Sequence, residues 1–510
     1  MPQCLFFRRQ SQPFAHLASI LALAAFAVVA PNQCPAQDND AVLKLYQAAK
    51  TAEQNGAYPQ ATQSYERILA LRPDLAEAHA NLGNLYYIQS KYDQAERAFR
   101  TALKLKPQLA GPQFFLGVLS FRSRDWTAAI NHLNKAAELN PTNPLIQLQL
   151  GYTYYAKGDF ANAVNNLEKV VRVDERNEDA WYHLSKLHGQ LSRRYFDELQ
   201  LTAADSFYTH LARAHFYEGQ ASWQEAALEY EKADKSKPTP ELKTKLHYLA
   251  ARAEGKQADW KPTTEALDGS TQFLHQPPDI GKVLSEFWRL RQGLKEVEPL
   301  KASPEQLYKL AENHQLLSYM AALWVYGTNS DSYRAHQLKG QSLEAAGRNE
   351  EAIAEYRAAL AKKPDLQTVH FAIGNILWRS GQLEEALPEL KAELEISPND
   401  PQAHYELGDI LLIQGNLDAA IGHYLSCLRF APETSEAHLA LDRIYTSKGQ
   451  TAEAMQHLRK AAAIAPNDPT PHYRLWLLYR KQGNTAEAAK SRKKFEELKK
   501  SAKPSTEGAP

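Results

Sequence analysis

The chain has 510 residues, with 59 Lys+Arg against 59 Asp+Glu, 44% hydrophobic residues and only three cysteines. A formal charge of zero argues against a dedicated nucleic-acid binder, whose affinity comes from neutralising phosphates. Three cysteines leave no room for a disulfide scaffold or a multi-thiolate metal site.

At the N-terminus, Arg8 and Arg9 precede an apolar run from Leu17 to Ala30, which Pro31 closes. This run of 14 residues suits the core of an export signal. It falls short of the roughly 20 residues a membrane-spanning helix requires. Cys34 and the small Ala36 place cleavage between Ala36 and Gln37, so residues 1–36 read as a signal peptide, with a retained anchor as the other reading. The arginine pair lacks the rest of a twin-arginine pattern, and Pro31-Asn32-Gln33 before Cys34 is a poor lipoprotein site. Cleavage leaves a net charge of −2, Cys427 alone, and hence no intrachain disulfide. That combination fits the periplasm or cell envelope of a bacterium, with no transmembrane span after cleavage.

Beyond the signal, a length of 510 would imply several globular domains, but the chain is periodic. Proline recurs every 34 residues at Pro73, Pro107 and Pro141, and again at Pro364, Pro398, Pro432 and Pro466. Glycine keeps the same step at Gly83, Gly117 and Gly151, and at Gly340, Gly374 and Gly408. Alanine does so from Ala61 to Ala163 and from Ala352 to Ala488. In the unit Ala76–Leu109, Leu82, Gly83 and Tyr86 share a face of a first helix, and Ala95, Phe99 and Ala102 a face of a second. Gly83 lets the second helix approach, and Pro107 ends it. One such hairpin cannot bury its apolar faces alone, whereas stacked neighbours form a continuous core.

These Leu-Gly, Tyr, Ala, Phe and Pro positions resemble the tetratricopeptide repeat family. The resemblance implies an all-α, right-handed superhelical solenoid of helix-turn-helix repeats, and a duplication within the chain points to two blocks. Four units fall in 42–177, one near 207–240 and five in 333–502. The expected organisation is a signal (1–36), an N-terminal block (37–240), an irregular helical connector (241–302), a C-terminal block (303–502) and a disordered tail (503–510). Residues 178–206 and 303–332 read as shortened hairpins, with Asp205-Ser206 and Asp331-Ser332 as N-caps for the helices that follow. Ser206, His210, Ala226, Tyr230, Ala233 and Pro238 each have a counterpart 126 residues on, which indicates duplication of a larger module. In the connector, Ile280, Val283, Leu284, Phe287 and Leu294 share one helix face. It is read either as degenerate repeats in the same solenoid or as a hinge.

Signs of chemistry are sparse. His336, His370, His404, His438 and His472 recur every 34 residues, with His79 in the same slot. A ladder of one histidine per repeat cannot converge on a metal, because successive equivalent helices stand at least about 8–10 Å apart. No metal or cofactor is expected. None of the common catalytic motifs (HExxH, CxxC, GxSxG, Walker-type or GxGxxG) occurs, and most Asp and Glu are expected to face solvent. Cys427 takes an alanine slot and reads as a buried, inert thiol. The basic stretch Lys490–Lys503 reads as a solvated capping helix, with anionic lipid a weak alternative.

The family resemblance implies that first helices line a concave face which binds extended peptides or partner helices. On the N-terminal block that face would present Tyr87, Phe114, Phe121, Tyr152 and Tyr155. On the C-terminal block it would present Phe371, Trp378, Arg379, Tyr405, Arg443, Tyr473 and Arg480. Aromatic and arginine side chains are favoured at binding hot spots, although some of these positions serve packing between repeats. The carboxylate clamp known in some members is incomplete: Asn81 and Asn84 are present, but Tyr46, Gly111 and Phe115 stand where cations would be needed. The expected function is therefore an exported, non-catalytic scaffold or adaptor for a protein or peptide partner. The alternatives are a self-assembling structural protein, a non-catalytic subunit of an envelope enzyme complex, or an enzyme using Asp268, His275, Asp279 and Glu286 of the connector.

Overall fold

The computed structural model describes residues 36–220, 222–253, 279–295 and 298–501. The expected signal core Leu17–Ala30, Asp268 and His275 of the connector, and the tail 503–510 lie outside those residues. Among the described residues there are 24 α-helices, one short 3-10 turn at Pro299–Lys301 and no strand. The chain divides into two compact units. The first runs to Leu338 without Arg122–Arg124, and the second comprises those three residues and Lys339 onward. This division does not coincide with the expected block boundaries at 240 and 302.

In the first unit, four hairpins come first: α1 (Ala36–Gln54) with α2 (Tyr58–Leu71), α3 (Ala76–Ile88) with α4 (Tyr92–Leu105), α5 (Ala110–Arg122) with α6 (Trp126–Leu139), and α7 (Pro144–Lys157) with α8 (Phe160–Val173). There follow α9 (Glu178–Thr202), the hairpin α10 (Phe207–Gly219) and α11 (Trp223–Ser236), α12 (Pro240–Ala253), α13 (Ile280–Gly293) and α14 (Pro304–Thr328). The remaining five hairpins are α15 (Tyr333–Ala345) with α16 (Asn349–Lys362), α17 (Val369–Arg379) with α18 (Leu383–Ile396), α19 (Pro401–Ile413) with α20 (Leu417–Phe430), α21 (Ser435–Ser447) with α22 (Thr451–Ile464), and α23 (Thr470–Lys481) with α24 (Thr485–Ser501). The ten hairpins match the units read from the 34-residue period.

Local chemistry explains the hairpins. In α4 the buried residues Ala95, Ala98, Phe99 and Ala102 fall at i, i+3, i+4 and i+7, one stripe of a helix. A Cβ on Gly83 would lie 2.6 Å from the Phe99 ring, and one on Gly408 would lie 2.8 Å from the Tyr424 ring. The glycine slot is therefore a close-approach slot in both units. Several helix starts are capped by side chains: Asp125 accepts from Ala128 N–H at 2.9 Å, and Asp400 from Ala403 N–H at 2.9 Å. The expected caps form as well, with Ser206 Oγ accepting from Thr209 N–H and Ser332 Oγ from Ala335 N–H, both at 3.1 Å.

The two expected short hairpins are corrected. Residues 178–202 and 304–328 are each a single helix of 25 residues, α9 and α14. Both are apolar on more than one side, so neither can fold back on itself; each buries that surface against the other. They run antiparallel: Trp181 meets Trp324 at a ring distance of 5.5 Å, and His188 Nδ1 meets His314 Nδ1 at 2.9 Å. Ser318 Oγ donates to the Ser185 carbonyl at 2.8 Å. The indoles of Trp181 and Trp324 both donate to the Glu175 carbonyl, each at 2.8 Å. The two helices begin 126 residues apart, and Tyr182, Leu184, His188 and Leu191 are repeated as Tyr308, Leu310, His314 and Leu317. The duplicated module therefore starts at these helices, and its two copies meet through them inside the first unit.

The described part of the connector is packed. Phe287 of α13 is 1% exposed, with its ring 5.0 Å from Trp181. Arg172 stacks on Trp288 at 4.0 Å, and Arg291 donates to Glu168 at 2.5 Å. Asp279 is the N-cap of α13, accepting from Lys282 N–H, and Glu286 pairs with Arg289. Both residues are thus engaged in local helix structure.

Candidate binding faces

In each unit, the first helices of successive hairpins touch one another and form a wall. The wall in the first unit is made of rings. Tyr87 is half-buried, 5.2 Å from Phe115 and 5.7 Å from Tyr92. Phe121 is half-buried against Trp126 at 5.2 Å. Tyr152 lies over the His183 ring at 4.3 Å, and the Tyr155 hydroxyl accepts from Gln190 Nε2 at 2.8 Å across to α9. Phe114 departs from expectation. It is 4% exposed and its ring lies edge-on to Phe115 at 5.4 Å. It is a core residue. Asn81 and Asn84 are buried too.

The wall of the second unit carries charge. Trp378 is half-buried and Arg379 exposed, at the end of α17. Phe371 is half-buried, and its backbone N–H donates to Glu393 at 3.3 Å. Tyr405 is half-buried, 5.8 Å from Tyr424, whose hydroxyl donates to Asp409 at 2.5 Å. Arg443 and Arg480 are exposed, and Arg480 lies 5.8 Å from the Trp476 ring. Tyr473 is 40% exposed, with its ring edge-on to Trp476 at 5.8 Å and tilted against Phe495 at 5.2 Å. The wall is joined by polar bonds between neighbouring first helices: Asn375 Nδ2 donates to Glu406 Oε1 at 2.5 Å, and Arg474 pairs with Asp442.

The buried acids of this unit escaped the sequence reading, which placed most carboxylates in solvent. Glu393 is fully buried and accepts the N–H groups of Thr368 and Phe371, so that α18 caps α17. Asp442 is fully buried, and Glu406 is 5% exposed. Burial, aided by Asp400 and Asp409, pushes the Glu406 carboxyl up to about 7, against the opposing pull of Asn375 and Arg379. A carboxylate slot of this kind looks like any surface glutamate in sequence, since its cover comes from the preceding repeat.

The histidine ladder has a hydrogen-bonding role. His79 Nε2 and His404 Nε2 donate to the carbonyls of Pro73 and Pro398, each at 3.0 Å, tying the first helix to the turn before it. The other nitrogen of the slot meets a residue 19 positions on. His210 bonds to Glu229 and His370 to Glu389, both at 2.7 Å. His404 bonds to His423 at 3.0 Å, and His438 to His457 at 2.8 Å. Because His404 uses its Nε2 proton on a carbonyl, its Nδ1 is the acceptor and His423 Nδ1–H the donor. Burial lowers the pKa values of His404 and His423, and brings His438 down to about 4. His370 moves up instead, since Glu389 outweighs its burial. Among the described residues no three His, Cys, Asp or Glu side chains gather into a metal-binding group, and no helix is long and apolar enough to cross a membrane. Cys427 is 1% exposed, and burial pushes its thiol up.

Comparison with known proteins places this architecture. Tetratricopeptide repeat patterns match residues 76–109 and 371–433, and a TPR repeat pattern matches 54–90, 121–158, 151–192, 340–381 and 443–483. Together these matches run over more than half of the chain. No curated protein matches the sequence. Among solved structures, MamA is similar at 23% identity, covering 32% of this chain and 95% of its own, with a TM-score of 0.31. YrrB, described as a TPR protein with an unusual peptide-binding site, is similar at 19% identity over 43% of this chain and 95% of its own, with a TM-score of 0.27. The Cut9–Hcn1 hetero-tetramer of the APC/C matches at 15% identity over 89% of this chain and 93% of its own, with a TM-score of 0.31. These likenesses, at TM-scores below 0.5, say nothing of what this chain binds. With ten two-helix hairpins at the family's spacing and its patterns matched in both units, the chain belongs to the tetratricopeptide repeat family.

Proposed function

We propose that this protein is an exported adaptor, working in the periplasm or cell envelope of a bacterium, that holds a protein or peptide partner against its first-helix walls and has no catalysis of its own. The observation that carries the reading is the second-unit wall, where Arg379, Arg443, Tyr473 and Arg480 are exposed on first helices that also carry half-buried Trp378 and Tyr405. Trp, Tyr and Arg side chains are enriched among the few residues that dominate binding energy. Export rests on the apolar run Leu17–Ala30 and the small residues before Gln37. N-terminal sequencing of the envelope form, beginning at Gln37, is the check on that part.

The binding part is tested by site-specific photo-crosslinking in the native cell. A benzoylphenylalanine at Tyr405 or Tyr473 is expected to trap a partner. The same group at Leu228 or Leu425, which are exposed on second helices, is expected to trap none. Trapping only from the second helices would overturn the assignment of the face. Trapping of further copies of the chain alone would replace an adaptor by a self-assembling protein.

A further inference from the structure

We propose that Glu406 anchors a cationic side chain, lysine or arginine, of the peptide held by the second unit; this deepens, and rests on, the first-helix reading above. The buried acids of that unit differ in one respect. Glu393 is closed off by two backbone N–H groups, and Asp442 by Thr446 and Arg474. Glu406 is 5% exposed, and only its Oε1 is satisfied, by Asn375 Nδ2 at 2.5 Å. Its Oε2 is buried with no hydrogen-bond partner among the described residues. A buried acceptor without a donor is destabilising, the more so when it is charged. The fold therefore holds a strong acceptor unfilled on the wall where a partner is expected.

The charges around it select the occupant. Asp409 stands one turn further along α19 and Asp400 caps that helix, while α17 contributes Asn375 and Arg379. From α21, Arg443 acts on Asp409. Three carboxyl groups thus face two guanidinium groups, and no hydrogen bond joins Arg379 to Glu406 among the described residues. An incoming anion would be repelled by this excess, and a neutral amide would fill Oε2 without offsetting it. A lysine or arginine head does both, and the half-buried rings of Trp378 and Tyr405, adjacent in sequence to Arg379 and Glu406, offer surfaces for its stem and charge. With its carboxyl near half-protonation at pH 7, Glu406 releases a proton to solvent when the cation binds.

The probe is a fluorescein-labelled positional-scanning library of acetylated nonapeptides, each pool fixing Arg, Lys, Gln, Leu or Glu at one position. It is titrated against the full chain and against Glu406→Gln, with circular dichroism as a check on folding. The wild type is expected to select Arg or Lys at one position, and Glu406→Gln to lose that selection by roughly tenfold while keeping preferences elsewhere. In the wild type alone, affinity for the selected pool is expected to fall roughly tenfold or more from pH 8 to pH 5.5, a readout that depends on no variant. Peptide binding with no cationic preference, or a preference that survives Glu406→Gln and ignores pH, overturns the role of Glu406 and leaves the groove standing. Failure of the wild type to bind any pool overturns both.

Discussion

The two units are built from the same hairpin, yet their walls differ. In both, the glycine of the first helix faces a bulky side chain of the second, Phe99 in one case and Tyr424 in the other. The first-unit wall is lined by Tyr87, Phe121, Tyr152 and Tyr155 against each other's neighbours. The second is lined by Arg379, Glu406, Asp409 and Arg443, with polar bonds between successive first helices. The repeat constrains the residues that join its two helices and leaves the wall free to diverge. A second contrast lies in the hairpin turns. The five later hairpins all put glycine at the left-handed position of the turn, as at Gly415 (φ 78°); earlier in the chain Gly56 (φ 70°) and Gly158 (φ 83°) do the same, but Ser90 (φ 59°) and Arg124 (φ 62°) stand at the two places between them.

The largest effect is expected where the first unit departs from the repeat. Trp181→Ala removes a side chain that joins α9, α13 and α14, and should cost about 3–5 kcal/mol by urea unfolding. A cost below 1 kcal/mol would mean that α9 and α14 are not the core of that unit. Next, Gly83→Val and Gly408→Val should each cost about 2–3 kcal/mol, since a Cβ would press on the facing ring. Equal losses support one shared framework; tolerance in one unit only would break the equivalence.

The third prediction concerns pH. His438 is neutral in the folded state down to about pH 4, whereas the unfolded residue protonates near 6.5. Between these values the unfolded chain binds more protons, so stability present above pH 6.5 is lost as pH falls, by an amount on the order of 2 kcal/mol. His457→Gln retains an N–H donor for His438 and removes one of the two titrating rings, so its melting temperature should depend less on pH than that of the wild type. An unchanged pH profile would count against the pairing. The smallest effect is a gain: Ser90→Gly and Arg124→Gly should each raise stability by about 0.5–1 kcal/mol through relief of the left-handed backbone.

The ten hairpins were legible because an alanine marks a fixed slot in each, with Gly or Pro at fixed spacing in most, and each hairpin is a local structure. The α9–α14 pair was not, since half of its packing surface lies 126 residues away, and nothing within 178–202 announces a helix unbroken by a turn. Of the wall residues, Tyr473, Arg379, Arg443 and Arg480 are exposed, while Phe114 is buried in ring contact with Phe115. Glu406 and the histidine pairs were missed for a common reason. Their environment is set by the partner helix or the preceding repeat, and the residue type alone does not disclose it.

The most direct test of the adaptor reading is affinity capture from native cells with the wild-type chain and with a Trp378→Ala, Arg379→Ala, Arg443→Ala variant whose helicity and melting are unchanged. The account predicts a defined partner retained by the wild type and lost by the variant. A partner retained equally by both would contradict the assignment of binding to the second-unit wall.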